Sequence, residues 1–205
     1  MSMINDKYMN MVKDEHKRSY ALYQQGKRME SGYSNHQPVL IHVLNTIKTG
    51  NVLEFGMGWC STPLMSVICK HQNRFLLSVE TDRKWLDKFL DYESGKHRLT
   101  LITPEELVLQ SHALFERKYA VAFIDGAAKL RSPLMKKIKD QVDYFVVHDT
   151  GIRAKEVYKF DFSGFKHVLH LNVGAIVPRT SVVSNMNEID ENIYTMKSLK
   201  KESKL

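Results

Sequence analysis

Five short apolar runs, each divided from the next by a stretch of helical periodicity, leave this chain few folds to choose from. The runs are Val52–Phe55, Phe75–Val79, Leu99–Ile102, Ala120–Ile124 and Tyr144–Val147. Between them lie predicted helices near Pro63–His71, Asp82–Tyr92, Pro104–Glu116 and Arg131–Lys139. Apolar strands joined by helices run parallel, with right-handed crossovers that cover both faces of the sheet. After Asp149 the pattern changes. Lys166–Leu171 and Ala175–Val183 read as strands divided only by Asn172, Val173 and Gly174. That link is too short for a crossover helix and must make an antiparallel hairpin. The expected fold is a doubly wound α/β sheet of seven strands, mostly parallel, with helices on both faces.

The flanks differ from this core. Met1–Gly32 is polar and charged, and its apolar residues Met3, Tyr8, Met11, Tyr20 and Tyr23 recur only loosely at helical spacing. Val39, Leu40, Val43, Leu44 and Ile47 then mark a helix that ends at Gly50. The expected organisation is a helical extension over 1–34, one domain over 35–185 and a polar, basic tail over 186–205. With 43% hydrophobic and 26% charged residues, the chain has the balance of a folded protein rather than a disordered one. Its only cysteines, Cys60 and Cys69, lack a second thiol pair for zinc, which points to reduced thiols and a cytoplasmic location. No run approaches a membrane span, and the charges among the first residues are unlike a signal peptide. The last three residues, Ser203, Lys204 and Leu205, match a peroxisomal address, but in a lysine-rich tail the match carries no weight.

Net charge is +7, which raises nucleic acid as a partner. No groove-reading motif accompanies the charge, however. Lys129, Arg131, Lys136, Lys137 and Lys139 therefore read as a solvated helix face, and nucleic acid as the lesser alternative.

The segment from Asn51 to Pro63 runs from the first strand into a helix through Gly56 and Gly58. Glycines there allow a tight turn and let a ligand lie against bare backbone. Ser61 or Thr62 can cap the helix, and Pro63 suits its first turn. Glu54, two residues before Gly56, would repel a pyrophosphate. S-adenosylmethionine (SAM) has no phosphate, and its ammonium, sulfonium and ribose diol tolerate or reward carboxylates. Glu80 ends the second strand, roughly 20 residues past the loop, where an acid accepts ribose hydroxyls. Asp82 reads as a helix cap.

With these residues in view, the chain resembles the class I SAM-dependent methyltransferases, a Rossmann-like family, across Val39–Val183. Glu54-x-Gly56-x-Gly58 is similar to that family's first motif, Glu80 to the acid of its second, and the terminal hairpin to its reversed last strand. The resemblance implies a methyltransferase enzyme with SAM as cofactor. Glu54, Phe55, Gly56 and Gly58, with Ser61 and Thr62, would hold the amino acid end. Glu80 and Thr81 would hold the ribose, and Glu105, in the loop from Thr103 to Glu106, would border the adenine. Trp59 and Trp85 could wall the pocket, although a tryptophan beside a helix is more often core.

Chemistry belongs at the carboxyl ends of the strands, beside the topological switch point. Asp125 follows the fourth strand, and His148 and Asp149 follow the fifth. This pair of loops resembles the O-methyltransferase branches that act on small molecules or sugars. Asp125, placed beside both cofactor and acceptor, is the first candidate for positioning the acceptor or taking its proton; His148 and Asp149 come next. The magnesium-binding, catechol-type branch has Asp-Asn where this chain has Asp149-Thr150, so magnesium is compatible but not favoured. The other histidines show no ligand spacing and read as surface residues. Ile124-Asp-Gly-Ala127 is unlike the tetrad of the DNA amino-methyltransferases. An RNA-modifying enzyme and a non-catalytic, SAM-binding partner subunit remain as alternatives.

Overall fold

The computed structural model describes residues 36–151, 156–171 and 180–186. The expected N-terminal extension, the link at 172–174, residues 175–179 of the second expected hairpin strand and nearly all of the C-terminal tail lie outside the described residues.

The strands are β1 (Val52–Phe55), β2 (Leu76–Glu80), β3 (His97–Leu101), β4 (Tyr119–Ile124), β5 (Val142–Val147), β6 (His167–Leu171) and β7 (Thr180–Ser184). They form one seven-stranded sheet in the order β3-β2-β1-β4-β5-β7-β6. β1 to β5 pair in parallel, whereas β7 is antiparallel to both β5 and β6. The hairpin is therefore present, and its second strand inserts beside β5. Strand order reverses between β1 and β4, so a crevice opens at the carboxyl ends of those two strands.

Alternation along each strand decides which layer a residue joins. Val52, Leu76, Val121, Phe123, Tyr144 and Val146 face one side and pack with Val39, Leu40, Val43, Leu44, Met65 and Ile68. Those partners come from α1 (Gln37–Thr46) and α2 (Thr62–His71). Leu53, Phe55, Leu77, Val79, Ala122, Ile124, Phe145 and Val147 face the other side. There they meet Leu134 and Met135 of α5 (Ala128–Lys137) and Ile138 just beyond it. The same period of two turns Glu54 and Ser78 towards the α2 layer, side by side in register.

Two predicted helices are shorter than the periodicity implies. Asp82–Tyr92 is α3 (Arg83–Leu86) followed by a 3₁₀ turn over Asp87–Tyr92, because over so few residues a period of 3 imitates one of 3.6. Asp82 caps α3 as expected, accepting from the amides of Lys84 at 2.8 Å and Trp85 at 3.2 Å. Pro104–Glu116 is α4 (Pro104–Leu109), ended by Gln110 in the left-handed region, and then a 3₁₀ turn over Ala113–Glu116. Among the described residues no helix is long and apolar enough to cross a membrane.

Candidate functional site

The glycine loop is held closed by its own amides. Gly56 N–H donates to the Val79 carbonyl at 2.9 Å, Met57 N–H to Glu80 Oε2 at 3.0 Å and Gly58 N–H to Thr62 Oγ1 at 3.0 Å. Gly56 has φ of 92°, and a Cβ there would fall 2.2 Å from both N and Cα of Gly126. The β1 and β4 loops thus touch backbone to backbone. Phe55, counted among the ligand residues, has its ring buried in the α5 layer against Gly126, and its carbonyl accepts from Asp125 N–H at 2.8 Å.

Glu54 is fully buried, and its carboxylate takes three hydroxyls: Ser61 at 2.6 Å and Thr62 at 3.0 Å on Oε1, Ser78 at 2.5 Å on Oε2. Ser61 stands at the N-cap of α2 but caps nothing, because its hydroxyl is spent on Glu54. Burial pushes the Glu54 carboxyl up to about 7, against the opposing pull of the three hydroxyls and with help from the charge on Glu80. The folded chain therefore disfavours the ionised form. This contribution to stability is complete below the ordinary glutamate range and is lost as pH rises through about 7.

The other groups facing Glu54 stay constant across that window. His97, linked to it through the Ser78 hydroxyl at 2.8 Å, is held by burial near 4, and the Cys69 thiol is pushed up to about 12. Between pH 5 and 9 the wild type should lose about 3 kcal/mol that Glu54→Gln does not lose, at about 1.4 kcal/mol per pKa unit. Urea unfolding of both proteins across this range measures the difference. Parallel profiles would contradict the burial argument.

Glu80 is buried at the end of β2. Its Oε1 accepts from Thr81 N at 2.6 Å, Thr81 Oγ1 at 3.1 Å and Asp82 N at 3.2 Å. Oε2, with Met57 N–H alone, is the oxygen with acceptor capacity left. Glu105 is exposed in the first turn of α4, which Thr103 and Glu106 close with a reciprocal capping box. Trp59 and Trp85 are half-buried around Phe89, and Trp85 Nε1–H donates to the Met57 carbonyl at 2.7 Å.

A second group of side chains gathers where β4 and β5 end. Ile124 and Val147 are paired in register, so Asp125 and His148 emerge side by side. His148 Nδ1 lies 3.1 Å from Asp125 Oδ1, and Nε2 lies 3.8 Å from Asp149 Oδ1. Arg131, on α5, is the hub. Its Nη2 is 2.8 Å from Asp125 Oδ1 and its Nη1 3.2 Å from Asp149 Oδ2, while Nε–H donates to the Gly126 carbonyl at 2.6 Å. The guanidinium also stacks 4.4 Å from the Tyr158 ring centre, and the Tyr158 hydroxyl donates to Asp149 Oδ2 at 3.2 Å.

Burial alone would raise Asp125, but His148 and then Arg131 outweigh it, and the carboxyl lies below its ordinary value. His148 goes the other way: burial would lower it, but Asp125 and then Asp149 lift it above the ordinary histidine range. His36, at the N-terminal edge of α1, completes the group, its ring 4.7 Å from that of His148 and 4.8 Å from that of Phe123. Burial, then the neighbouring His148, push His36 down to about 3. The Cys60 carbonyl, which accepts from Gln37 Nε2 at 2.9 Å, pulls the other way on the ring.

Three sequence expectations need correction here. Arg131 is not part of a solvated basic face, because it is 7% exposed and ion-paired with Asp125 and Asp149. The remaining histidines are not all on the surface: His36, His97 and His112 are buried. The cap expected from Ser61 or Thr62 is replaced by their bonds to Glu54. Asp125, His148 and Asp149 do come together. Arg131, His36 and Tyr158 join them without having been singled out for the site, and only Arg131, six residues after Asp125, had a charge that could have flagged it.

No protein-family model matches the chain, and no curated protein sequence matches it. Solved structures do resemble it. The O-methyltransferase TomG from Streptomyces achromogenes, in complex with SAM, superposes with a TM-score of 0.55 at 10% identity, covering 86% of this chain and 90% of TomG. An O-methyltransferase from Bacillus cereus in complex with SAH gives 0.52 at 11% identity, covering 85% and 90%. Human methyltransferase-like protein 13, also with SAH, gives 0.51 at 14% identity, covering 83% and 86%. The seven-stranded sheet with its reversed terminal strand is therefore a fold shared with these methyltransferases.

Proposed function

We propose that the chain is a SAM-dependent methyltransferase acting on a hydroxyl of a small molecule or sugar. One observation carries the reading: the amides of Gly56, Met57 and Gly58 all turn inward, onto Val79, Glu80 and Thr62. A pyrophosphate cradle at this switch point needs such N–H groups aimed at the ligand. Here they are committed, and two buried acids, Glu54 and Glu80, stand behind the loop. That lining suits a cationic, phosphate-free adenosyl ligand. Gly56 and Gly58 offer bare backbone to its amino acid end, Glu80 Oε2 an acceptor to its ribose, and Glu105 a position beside its base. Fold neighbours crystallised with SAM or SAH support the same assignment.

When bound, SAM supplies an electrophilic methyl group on a sulfonium. The chain's task is to set an acceptor oxygen in line with that methyl and exclude water, and such positioning is worth about 7–11 kcal/mol. Asp125 borders the acceptor side one strand over from the glycine loop, and His148 and Asp149 two strands over. Arg131 spans the gap between the two aspartates, where a two-carboxylate magnesium site would have to form, and Thr150 turns instead to Ser181 at 2.6 Å. These residues do not fit magnesium of the catechol type.

Transfer of an isotope-labelled methyl group from SAM to a panel of phenolic and sugar acceptors, with RNA in parallel, tests the reading. Label should enter a hydroxylated small molecule. Asp125→Asn should cut turnover by about 100-fold while cofactor affinity stays within about twofold. Label entering RNA alone would favour the RNA alternative. SAM binding without transfer to any acceptor would favour the partner subunit.

A further inference from the structure

His36, Asp125 and His148 come from three different elements, the start of α1 and the ends of β4 and β5. One donor atom from each lies within 4.8 Å of the other two. His36 is 2% exposed, and neither of its ring nitrogens has a hydrogen-bond partner among the described residues. A buried imidazole without well-formed hydrogen bonds forfeits the hydration it had in water, and the pull of the Cys60 carbonyl returns little of it. Its neighbours are donors of the kind metals take, an imidazole and a carboxylate.

We propose that these three side chains bind a divalent transition-metal ion of the zinc class. Ligands of a tetrahedral zinc with bonds of about 2.0–2.1 Å stand about 3.3 Å from one another. His148 Nδ1 and Asp125 Oδ1 are already 3.1 Å apart, so a modest tilt of the His36 ring closes the set. Two imidazoles and one carboxylate suit zinc, cobalt or nickel, whereas magnesium prefers oxygen donors throughout. The surroundings serve a metal as outer partners do. Arg131 holds Asp125, and Asp149 Oδ1 faces His148 Nε2 at 3.8 Å. Three protein donors leave a fourth position, at which an ion can polarise an acceptor hydroxyl. That last consequence rests on the methyl-transfer reading, and the binding does not.

The test titrates the chelator-stripped full chain with zinc against a chromophoric competitor, and with cobalt read by its visible d–d absorption. One equivalent of zinc should bind with a Kd of about 1 μM or tighter. His36→Gln and His148→Gln should each weaken it by about 100-fold, and Cys60→Ser should leave it unchanged. Far-UV circular dichroism checks that each variant is folded, and SAM affinity is measured in the same set. Zinc binding that survives His36→Gln, or that is weaker than about 100 μM in the folded wild type, overturns the proposal. Failure of zinc with SAM binding intact removes the metal site alone. Zinc binding without SAM binding leaves the metal site and removes the methyl-transfer reading.

Discussion

Gly56→Ala should unfold the site and destabilise the chain by about 3 kcal/mol or more. Two costs add. An alanine at φ of 92° meets the left-handed penalty of about 1–2 kcal/mol. Its methyl carbon would also fall 2.2 Å from Gly126 N and Cα and 2.5 Å from Asp125 C, all of them backbone atoms that no rotamer change can move aside. Overpacking of this kind costs about 1–3 kcal/mol. The β1 and β4 loops would have to separate, carrying the cofactor side away from Asp125, so SAM affinity should fall by about 100-fold or more. Gly58→Ala is the control. Its Cβ would meet only Ser61 Oγ, at 3.4 Å, and it should cost under about 1 kcal/mol. Chemical denaturation with calorimetry measures both, and equal effects at the two glycines would contradict the packing.

Arg131→Met should have the second large effect, a loss of about 3–5 kcal/mol. The substitution keeps much of the volume but removes the guanidinium that Asp125 and Asp149 share, leaving both carboxylates to His148, at 3.1 and 3.8 Å. It also removes the donors to the Gly126 and Asp125 carbonyls, which pin the β4 loop at 2.6 and 3.0 Å. Adding Asp149→Asn to Arg131→Met should restore part of the stability, because one of the two carboxylate charges disappears. A double-mutant cycle by urea unfolding reads that coupling. Additive losses would mean that Arg131 and Asp149 do not act as a pair.

The parallel part of the sheet was legible because short apolar runs alternate with helical stretches, and β1, with the glycines that follow it, carried its position in the residues themselves. Less legible were the helices after β2 and β3, where Phe89 and Leu114 satisfy a 3₁₀ period as well as an α-helical one. Glu54 was legible as an acid beside the loop, but its partners were not. Ser61 and Thr62 look like helix caps until the alternation of β1 aims Glu54 at them, and Ser78 joins only through the β1–β2 register. The group at the ends of β4 and β5 shows the limit more sharply. Asp125 and His148 could be placed because each follows a strand. Arg131 lies in a lysine-rich stretch whose charge pattern describes a solvated face, and only the position of α5 over the β4 loop turns it inward. His36 belongs to no motif. Its meaning comes entirely from the packing of α1 against β4 and β5.

Calorimetry on the full chain decides whether this crevice holds SAM. One site should bind with an affinity in the micromolar range, about −8 kcal/mol, without competition from NAD. Glu80→Gln should weaken it by about tenfold, because a charged acceptor for the ribose is replaced by a neutral one. No heat of binding from SAM in the folded chain, or displacement of SAM by NAD, would contradict the account.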